Sequence, residues 1–188
     1  MTVMKSKRLA FLCCALTFLV VPVATAAPVC DMKVAVPQSA RTYAKTGDQA
    51  AWREFRSIQD VPPLDTDGGA STQLWRSETG ASFAYTAEPG EDFWTYTRYC
   101  FDETGQLARV SFEVRTAWGW SYRLEGPVVK GVLHTNSAGF FSTENERPIS
   151  KPEGASDVSE ALKPTLYLTT SKLPFAHLLA HPSQLSPR

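Results

Sequence analysis

The sequence predicts an α+β domain: an antiparallel β-meander of about six strands with short flanking helices and one disulfide. Short runs rich in Thr, Val and aromatic residues alternate with turn sequences from residue 71 to residue 143, which is typical of hairpin-connected strands. Apolar residues at helical spacing come before this region. Two cysteines remain once a predicted N-terminal leader is removed. Together these observations favour one antiparallel sheet with small helices packed against it.

Residues 1–26 have the pattern of a secretory signal peptide. Three basic residues precede a nearly unbroken apolar run, Leu9 to Val23, and the small residues Ala24-Thr25-Ala26 suit cleavage before Ala27. The alternative is an uncleaved anchor, but the run is short and its last residues are weakly apolar. We therefore expect export to the periplasm or the cell exterior. Residues 27–188 are expected to form a single domain with no further membrane span.

Export changes the role expected of the cysteines. Cys13 and Cys14 leave with the leader, so Cys30 and Cys100 are the pair that remains. In an oxidising compartment an isolated pair most simply forms a disulfide. A redox-active pair is the alternative, but such cysteines usually occur as Cys-x-x-Cys, which this sequence lacks.

The charge balance argues against a nucleic-acid partner. The leader carries three of the 19 basic residues and none of the 19 acidic ones, so residues 27–188 have a formal charge of −3. Non-specific binding to nucleic acid depends on an excess of Lys and Arg facing the phosphates. The remaining length is sufficient for one domain with its own core.

Helices are predicted on both sides of the strand region. Asp48 is a suitable N-cap for a helix Asp48–Gln59, in which Trp52 and Phe55 fall on one apolar face, and Pro62-Pro63 ends it. A turn-rich linker, Asp65–Ser71, leads into the strands. After the strands, the sequence predicts a short helix near Ser156–Leu162, a strand Thr165–Thr169 and an apolar turn Leu173–Ala180.

The most informative segment is a hairpin of two strands, Asp92–Phe101 and Gln106–Trp118. Its predicted loop is Asp102-Glu103-Thr104-Gly105, with glycine last, where a left-handed residue is favoured. A four-residue loop puts Phe101 opposite Gln106. A five-residue loop would shift the pairing by one residue and exchange the two faces of the hairpin.

With this register, one face of the hairpin is apolar and the other mixes aromatic rings with charges. Phe112 and Val110 are expected in the core, whereas Arg109 and Glu113 are expected to keep access to solvent. Aromatic rings beside charged groups can stack on a sugar or a peptide and hydrogen-bond its polar atoms. The predicted ligand-binding residues are Trp94, Tyr96, Arg98, Arg109 and Glu113. The alternative is that the Asp48–Gln59 helix covers this face as a second core.

No pattern identifies a catalytic or metal site, and no cofactor is predicted. His177 and His181 have the spacing of two ligands on a helix, but Leu178 stands where a zinc protease has glutamate. A calcium loop starting at Asp65 would need a glutamate where Arg76 stands. The motifs of serine hydrolases, P-loop proteins and dinucleotide-binding enzymes are absent from the sequence.

The sequence therefore favours an exported, non-enzymatic binding module with a sugar or peptide ligand. Two other functions stay open: a hydrolase whose carboxylates converge in space, and a structural or assembly partner in the cell envelope. Two facing carboxylates in a pocket would favour the hydrolase. An exposed face carrying Trp94 and Tyr96 would favour binding.

Overall fold

The computed structural model describes residues 30–180, which form ten β-strands, three 3-10 turns and one four-residue α-helix. The strands are β1 Arg41–Lys45, β2 Arg53–Phe55, β3 Ala70–Arg76, β4 Ser82–Pro89, β5 Phe93–Phe101, β6 Leu107–Thr116, β7 Trp120–Val129, β8 Val132–Leu133, β9 Ser137–Ser142 and β10 Pro148–Ile149. The 3-10 turns are Ile58–Asp60, Glu153–Ser156 and Thr170–Lys172, and helix α1 is Ala176–Leu179. The fold is therefore mostly β, and the predicted α+β class overstates its helix content.

Nine strands lie side by side in the order β10-β9-β7-β6-β5-β4-β3-β1-β2, and β8 pairs with the end of β7. Every pairing is antiparallel. From β3 to β7 each strand pairs with the next one in sequence, which confirms the predicted meander. The sheet is larger than predicted because short strands at both ends of the meander extend it.

The predicted helix Asp48–Gln59 is wrong. This segment contains the edge strand β2, in which Phe55 pairs with Thr42 of β1, and the 3-10 turn that follows it. Trp52 packs instead against Phe175, with ring centroids 5.2 Å apart. Pairing with β1 supplies backbone hydrogen bonds and aromatic packing together, and such tertiary contacts override a weak helical preference.

The C-terminal predictions are also corrected. The segment predicted as the helix Ser156–Leu162 consists of the 3-10 turn Glu153–Ser156 and irregular turns. The predicted strand Thr165–Thr169 makes a single bridge, between Thr169 and Gln106. A further backbone hydrogen bond also joins it to the β5–β6 hairpin: the Leu107 amide donates to the Leu168 carbonyl at 2.9 Å. The segment is thus held by the sheet rather than by a regular pattern of its own.

The β5–β6 hairpin has a longer loop than predicted and the predicted faces. Phe101 pairs with Leu107 rather than Gln106, and a bulge next to Cys100 shifts the register once more, so that Thr97 faces Phe112. One shift would exchange the two faces, and two shifts restore them, because side chains alternate with a period of two. The expected burial is confirmed: Val110 is 0% and Phe112 3% exposed. The side chains of Arg109 and Glu113 stay 33% and 26% exposed.

One face of the sheet, which we call the covered face, carries the main core. Residues 153–180 lie across this face, and Phe175 is fully buried there, stacked on Tyr43 at a centroid distance of 4.5 Å. The buried sheet residues of this core are Tyr43, Ala84, Tyr99, Phe101, Leu107, Val110, Phe112, Val114 and Leu124. The C-terminal segment therefore takes the place of the predicted helices in covering the sheet.

The opposite face, which we call the open face, is crossed at one end by the N-terminal segment 30–40. Cys30 and Cys100 form the predicted disulfide, with Cα atoms 5.8 Å apart. Met32 and Ala40 pack there against the stacked rings of Trp75 and Phe83. A cross-link that closes a loop of this length restricts the unfolded chain by about 4 kcal/mol in the entropic description. The disulfide thus fixes this segment on the sheet.

The predicted leader, residues 1–26, and His181 lie outside the described residues. Between residues 30 and 180 no helix is long and apolar enough to cross a membrane.

Replacing Phe112 by alanine is expected to lower the free energy of unfolding by about 3–5 kcal/mol, because it opens a cavity in the covered core. Urea denaturation measures this difference. Ser111→Ala, on the neighbouring position of the open face, is the control and should change stability by no more than about 0.5 kcal/mol. Equal effects of the two substitutions would show that the face assignment is wrong.

The loop of the same hairpin depends on the carboxylate of Asp102. It accepts hydrogen bonds from the Thr104 amide at 2.9 Å, the Thr104 hydroxyl at 2.7 Å and the Gln106 amide at 3.0 Å. The Thr104 hydroxyl contributes most to lowering the pKa of Asp102 below its ordinary value. The ionised carboxylate therefore stabilises the folded loop.

Asp102→Asn is expected to lower the free energy of unfolding by about 1 kcal/mol at neutral pH, since a charge-assisted acceptor is lost. Because the pKa of Asp102 is lower in the folded state, the wild-type advantage should be complete above the unfolded pKa of about 4. It should disappear as the pH falls through the lower, folded pKa. Denaturation at several pH values measures this difference, with Glu103→Gln as the control in the same loop. A difference that does not change with pH would contradict this role of the charge.

Candidate functional site

The five predicted ligand-binding residues all lie on the open face. They belong to β5 and β6, where Trp94 pairs with Arg115, Tyr96 with Glu113 and Arg98 with Ser111. They nevertheless have three different environments. Trp94 borders a groove and is stacked on Tyr96, Arg98 holds the N-terminal segment, and Arg109 and Glu113 form ion pairs.

Trp94 is the exposed end of a row of stacked rings. Its ring stacks on Tyr96, which stacks in turn on Tyr85 of β4, with centroids 6.2 Å apart in both pairs. Trp94 keeps 39% of its surface exposed. Burial is the main cause that raises the pKa of both tyrosines, so their hydroxyls stay neutral at physiological pH. The row is therefore an uncharged aromatic surface whose rings are held by their neighbours.

Arg98 is occupied by the protein itself. Its guanidinium donates hydrogen bonds to the backbone carbonyls of Met32 and Val34, the second at 2.7 Å. It also lies over the rings of Tyr85 and Trp75, at 5.4 and 5.9 Å from their centroids. The guanidinium fork suits two carbonyl acceptors at once. Arg98 thus acts with the disulfide to hold the N-terminal segment against the sheet.

The open-face charges of β6 and β7 pair with one another. Arg109 and Glu125 form a salt bridge at 2.6 Å. Glu113 lies between Arg123 and Arg115, at 3.0 and 3.4 Å, and Glu146 binds both of these arginines. This network covers β6, β7 and the turn after β9. Arg109 and Glu113 are therefore compensated charges, and neither lines the cleft beside Trp94.

A groove runs across the strands on the other half of the open face. Its aromatic half is a cleft of about 330 Å³ between the segment Ile58–Leu64 and the sheet. The sheet contributes Trp94, Tyr85 and Ala87, and the segment contributes Pro62-Pro63. The volume falls in the range of small-molecule sites, roughly 300–1,000 Å³. Of the five predicted ligand-binding residues, Trp94 is thus the one that lines this cleft.

The polar half of the groove adjoins the aromatic half and shares Ile58 and Gln73 with it. It has a volume of about 480 Å³ and lies between the N-terminal segment and the 3-10 turn Ile58–Asp60. Its lining residues are Val36, Pro37, Gln38, Ala40, Thr42, Ser57, Ile58, Gln59 and Gln73. The segment that Arg98 and the disulfide hold is therefore one wall of this half.

Neither half of the groove contains a charged side chain among the described residues that line it. The lining residues that sequence reasoning missed come from Pro62-Pro63 and from Gln38, Gln59 and Gln73. In the sequence alone, Pro62-Pro63 indicates only the end of a helix. The three glutamines lie far apart in sequence, so no local pattern connects them.

The candidate metal residues do not come together in the described part of the chain. Between residues 30 and 180 there is no group of three or more His, Cys, Asp or Glu side chains that could hold a metal ion. The Asp65 carboxylate accepts a hydrogen bond from the Asp67 amide at 3.1 Å, as in an ordinary turn. His177 lies on α1, and its predicted partner His181 is outside the described residues.

No protein-family model matches the chain, and no curated protein or solved structure is significantly similar to it. The function is therefore inferred from the geometry and chemistry of the groove.

Arg98→Lys is expected to loosen the N-terminal wall of the groove, because one ammonium group cannot reproduce the planar fork that binds both carbonyls. The free energy of unfolding should fall by about 1–3 kcal/mol, and amide hydrogen exchange should accelerate in residues 32–36. Arg109→Lys is the control, since its surface ion pair contributes less than about 1 kcal/mol. Unchanged exchange in residues 32–36 of Arg98→Lys would show that Arg98 does not hold this segment.

Proposed function

We propose that the protein is an exported, non-enzymatic binding module and that its ligand site is the groove on the open face. One observation carries the proposal: Trp94 is 39% exposed at the edge of a preformed cleft, although it is a large aromatic residue. Stacking on Tyr96 holds its ring in place. An ordered aromatic surface beside a cavity binds a sugar or peptide with little loss of conformational entropy.

The location of the groove supports this proposal. Its floor is formed by β1, β3, β4 and the start of β5, which are paired strands and therefore rigid. Its walls are the Ile58–Leu64 segment and the N-terminal segment, and the second of these is fixed by a covalent bond and by Arg98. A site on a rigid framework is preorganised for binding.

A hydrolase is less well supported than a binding function. Its carboxylates would have to face a pocket, and the described residues that line the groove include no Asp, Glu or His. The open-face carboxylates Glu113, Glu125 and Glu146 are each bound to arginine. An assembly partner would also cover an exposed Trp94, but the cleft of about 330 Å³ beside it has the size of a small-molecule site.

Export is part of the proposal and is supported by two features. The leader pattern of residues 1–26 directs secretion. The disulfide between Cys30 and Cys100 requires an oxidising compartment to persist. Both features support the proposed location in the periplasm or the cell exterior.

A thermal-shift screen of the mature protein against soluble sugars and short peptides tests the proposed function. A ligand present at about 100 times its Kd should stabilise the folded protein by about 2.7 kcal/mol, which raises Tm by roughly 5–10 °C. Trp94→Ala should abolish this shift. The matched control is Trp118→Ala, since Trp118 is 48% exposed and lines neither half of the groove. A shift that Trp94→Ala leaves intact would contradict the proposed site.

A further inference from the structure

We infer that the ligand of the groove is a neutral oligosaccharide. This inference depends on the proposed binding function and specifies the ligand class. It is based on two properties of the lining: the amide side chains of the polar half, and an aromatic surface whose neighbouring arginines, Arg98 and Arg115, are bound to other groups of the protein.

The polar half of the groove is lined by the side-chain amides of three glutamines. Gln38 and Gln59 are exposed and Gln73 is half-buried, and no hydrogen bond of their side chains occurs among the described residues. Each amide offers both donors and acceptors. A sugar hydroxyl also donates and accepts, so three free amides around one cavity match a chain of hydroxyl groups.

The aromatic half suits the apolar face of a sugar ring. The C–H groups on one face of a pyranose can pack flat against an indole, and Trp94 is exposed and held by Tyr96. Pro62-Pro63 lies on the other side of the cleft. A ring in this cleft would therefore contact apolar groups on both faces while its hydroxyls point outward.

The groove is longer than one ring. Its floor extends from Thr42 on β1 to Trp94 on β5, across three inter-strand spacings of about 4.8 Å each, or roughly 14 Å. One sugar in the aromatic half would leave the amides of the polar half unoccupied. A linked oligosaccharide can reach both.

A peptide fits this lining less well. Peptides commonly bind to a sheet by pairing their backbone with an exposed edge strand. Here β1, β3, β4 and β5 are each paired on both sides, so the groove offers no free backbone edge. A peptide lying across these strands would have to satisfy its amides through side chains alone.

The described lining of the groove has no cationic side chain, so acidic sugars and phosphates are poor ligands for it. Arg98, which lies over Tyr85 of the cleft, donates to the carbonyls of Met32 and Val34. Arg115 and Arg123 are bound to Glu113 and Glu146. An anionic ligand would lose its hydration in the groove without finding an opposite charge.

Titration calorimetry of the mature protein tests the ligand class. The probes are soluble oligosaccharides of glucose, galactose, mannose and N-acetylglucosamine, with oligouronic acids and uncharged peptides for comparison. We expect a neutral oligosaccharide to bind, with an affinity that stays constant between about 0.05 and 0.5 M NaCl because no ion pair forms. Trp94→Ala and Gln73→Ala should each weaken binding by about tenfold or more, and Gln73→Glu should weaken it while keeping the side-chain size.

Trp118→Ala and Gln49→Ala are the matched controls, since both residues are exposed and lie outside the groove. Binding of a peptide or an oligouronic acid that Trp94→Ala abolishes would overturn the neutral-sugar class and leave the proposed function intact. Oligosaccharide binding unaffected by Trp94→Ala and Gln73→Ala would overturn both the class and the site. Failure of every probe to bind would overturn the proposed function as well.

Discussion

The pairing of β5 with β6 is the interaction on which the rest of the structure depends. It assigns Val110, Phe112 and Val114 to the covered face and leaves Trp94 and Tyr96 on the open one. The assignment survives a longer loop because the bulge beside Cys100 adds a second one-residue shift. A total register shift of two residues between β5 and β6 keeps the apolar side chains of both strands on the same face. A shift of one residue would bury charged side chains and expose Phe112.

β5 also connects the core to the groove. Arg98 and Cys100 alternate with the buried Tyr99, so they emerge two residues apart on the open face. One binds Met32 and Val34 and the other binds Cys30. The same strand that fills the core thus anchors residues 30–40, and this segment becomes a wall of the polar half. Stability of the groove wall is in this way tied to the stability of the sheet.

The sequence could predict those features that depend on local alternation. The two faces of the hairpin, the meander from β3 to β7 and the Cys30–Cys100 disulfide needed only period-two patterning, turn residues and a cysteine count. The helix prediction for Asp48–Gln59 is wrong because a short stretch with Trp52 and Phe55 is equally compatible with a helix and with an edge strand. Its pairing with β1 was decided by contacts distant in sequence. The groove could not be predicted from the sequence for the same reason. Gln38, Gln59 and Gln73 come together only after β1 and β3 have paired.

The open face separates charge from the candidate site. Salt bridges occupy the half formed by β6, β7 and the turn after β9, whereas the described lining of the groove holds only uncharged residues. Pairing removes the long-range field that would otherwise attract ions toward Trp94. A ligand would then associate without electrostatic steering, and shape and hydrogen bonding would determine its selection. Arg109 and Glu113, which the sequence predicts to bind the ligand, are instead partners of Glu125 and Arg123 in this network, so their charges are neutralised beside the groove.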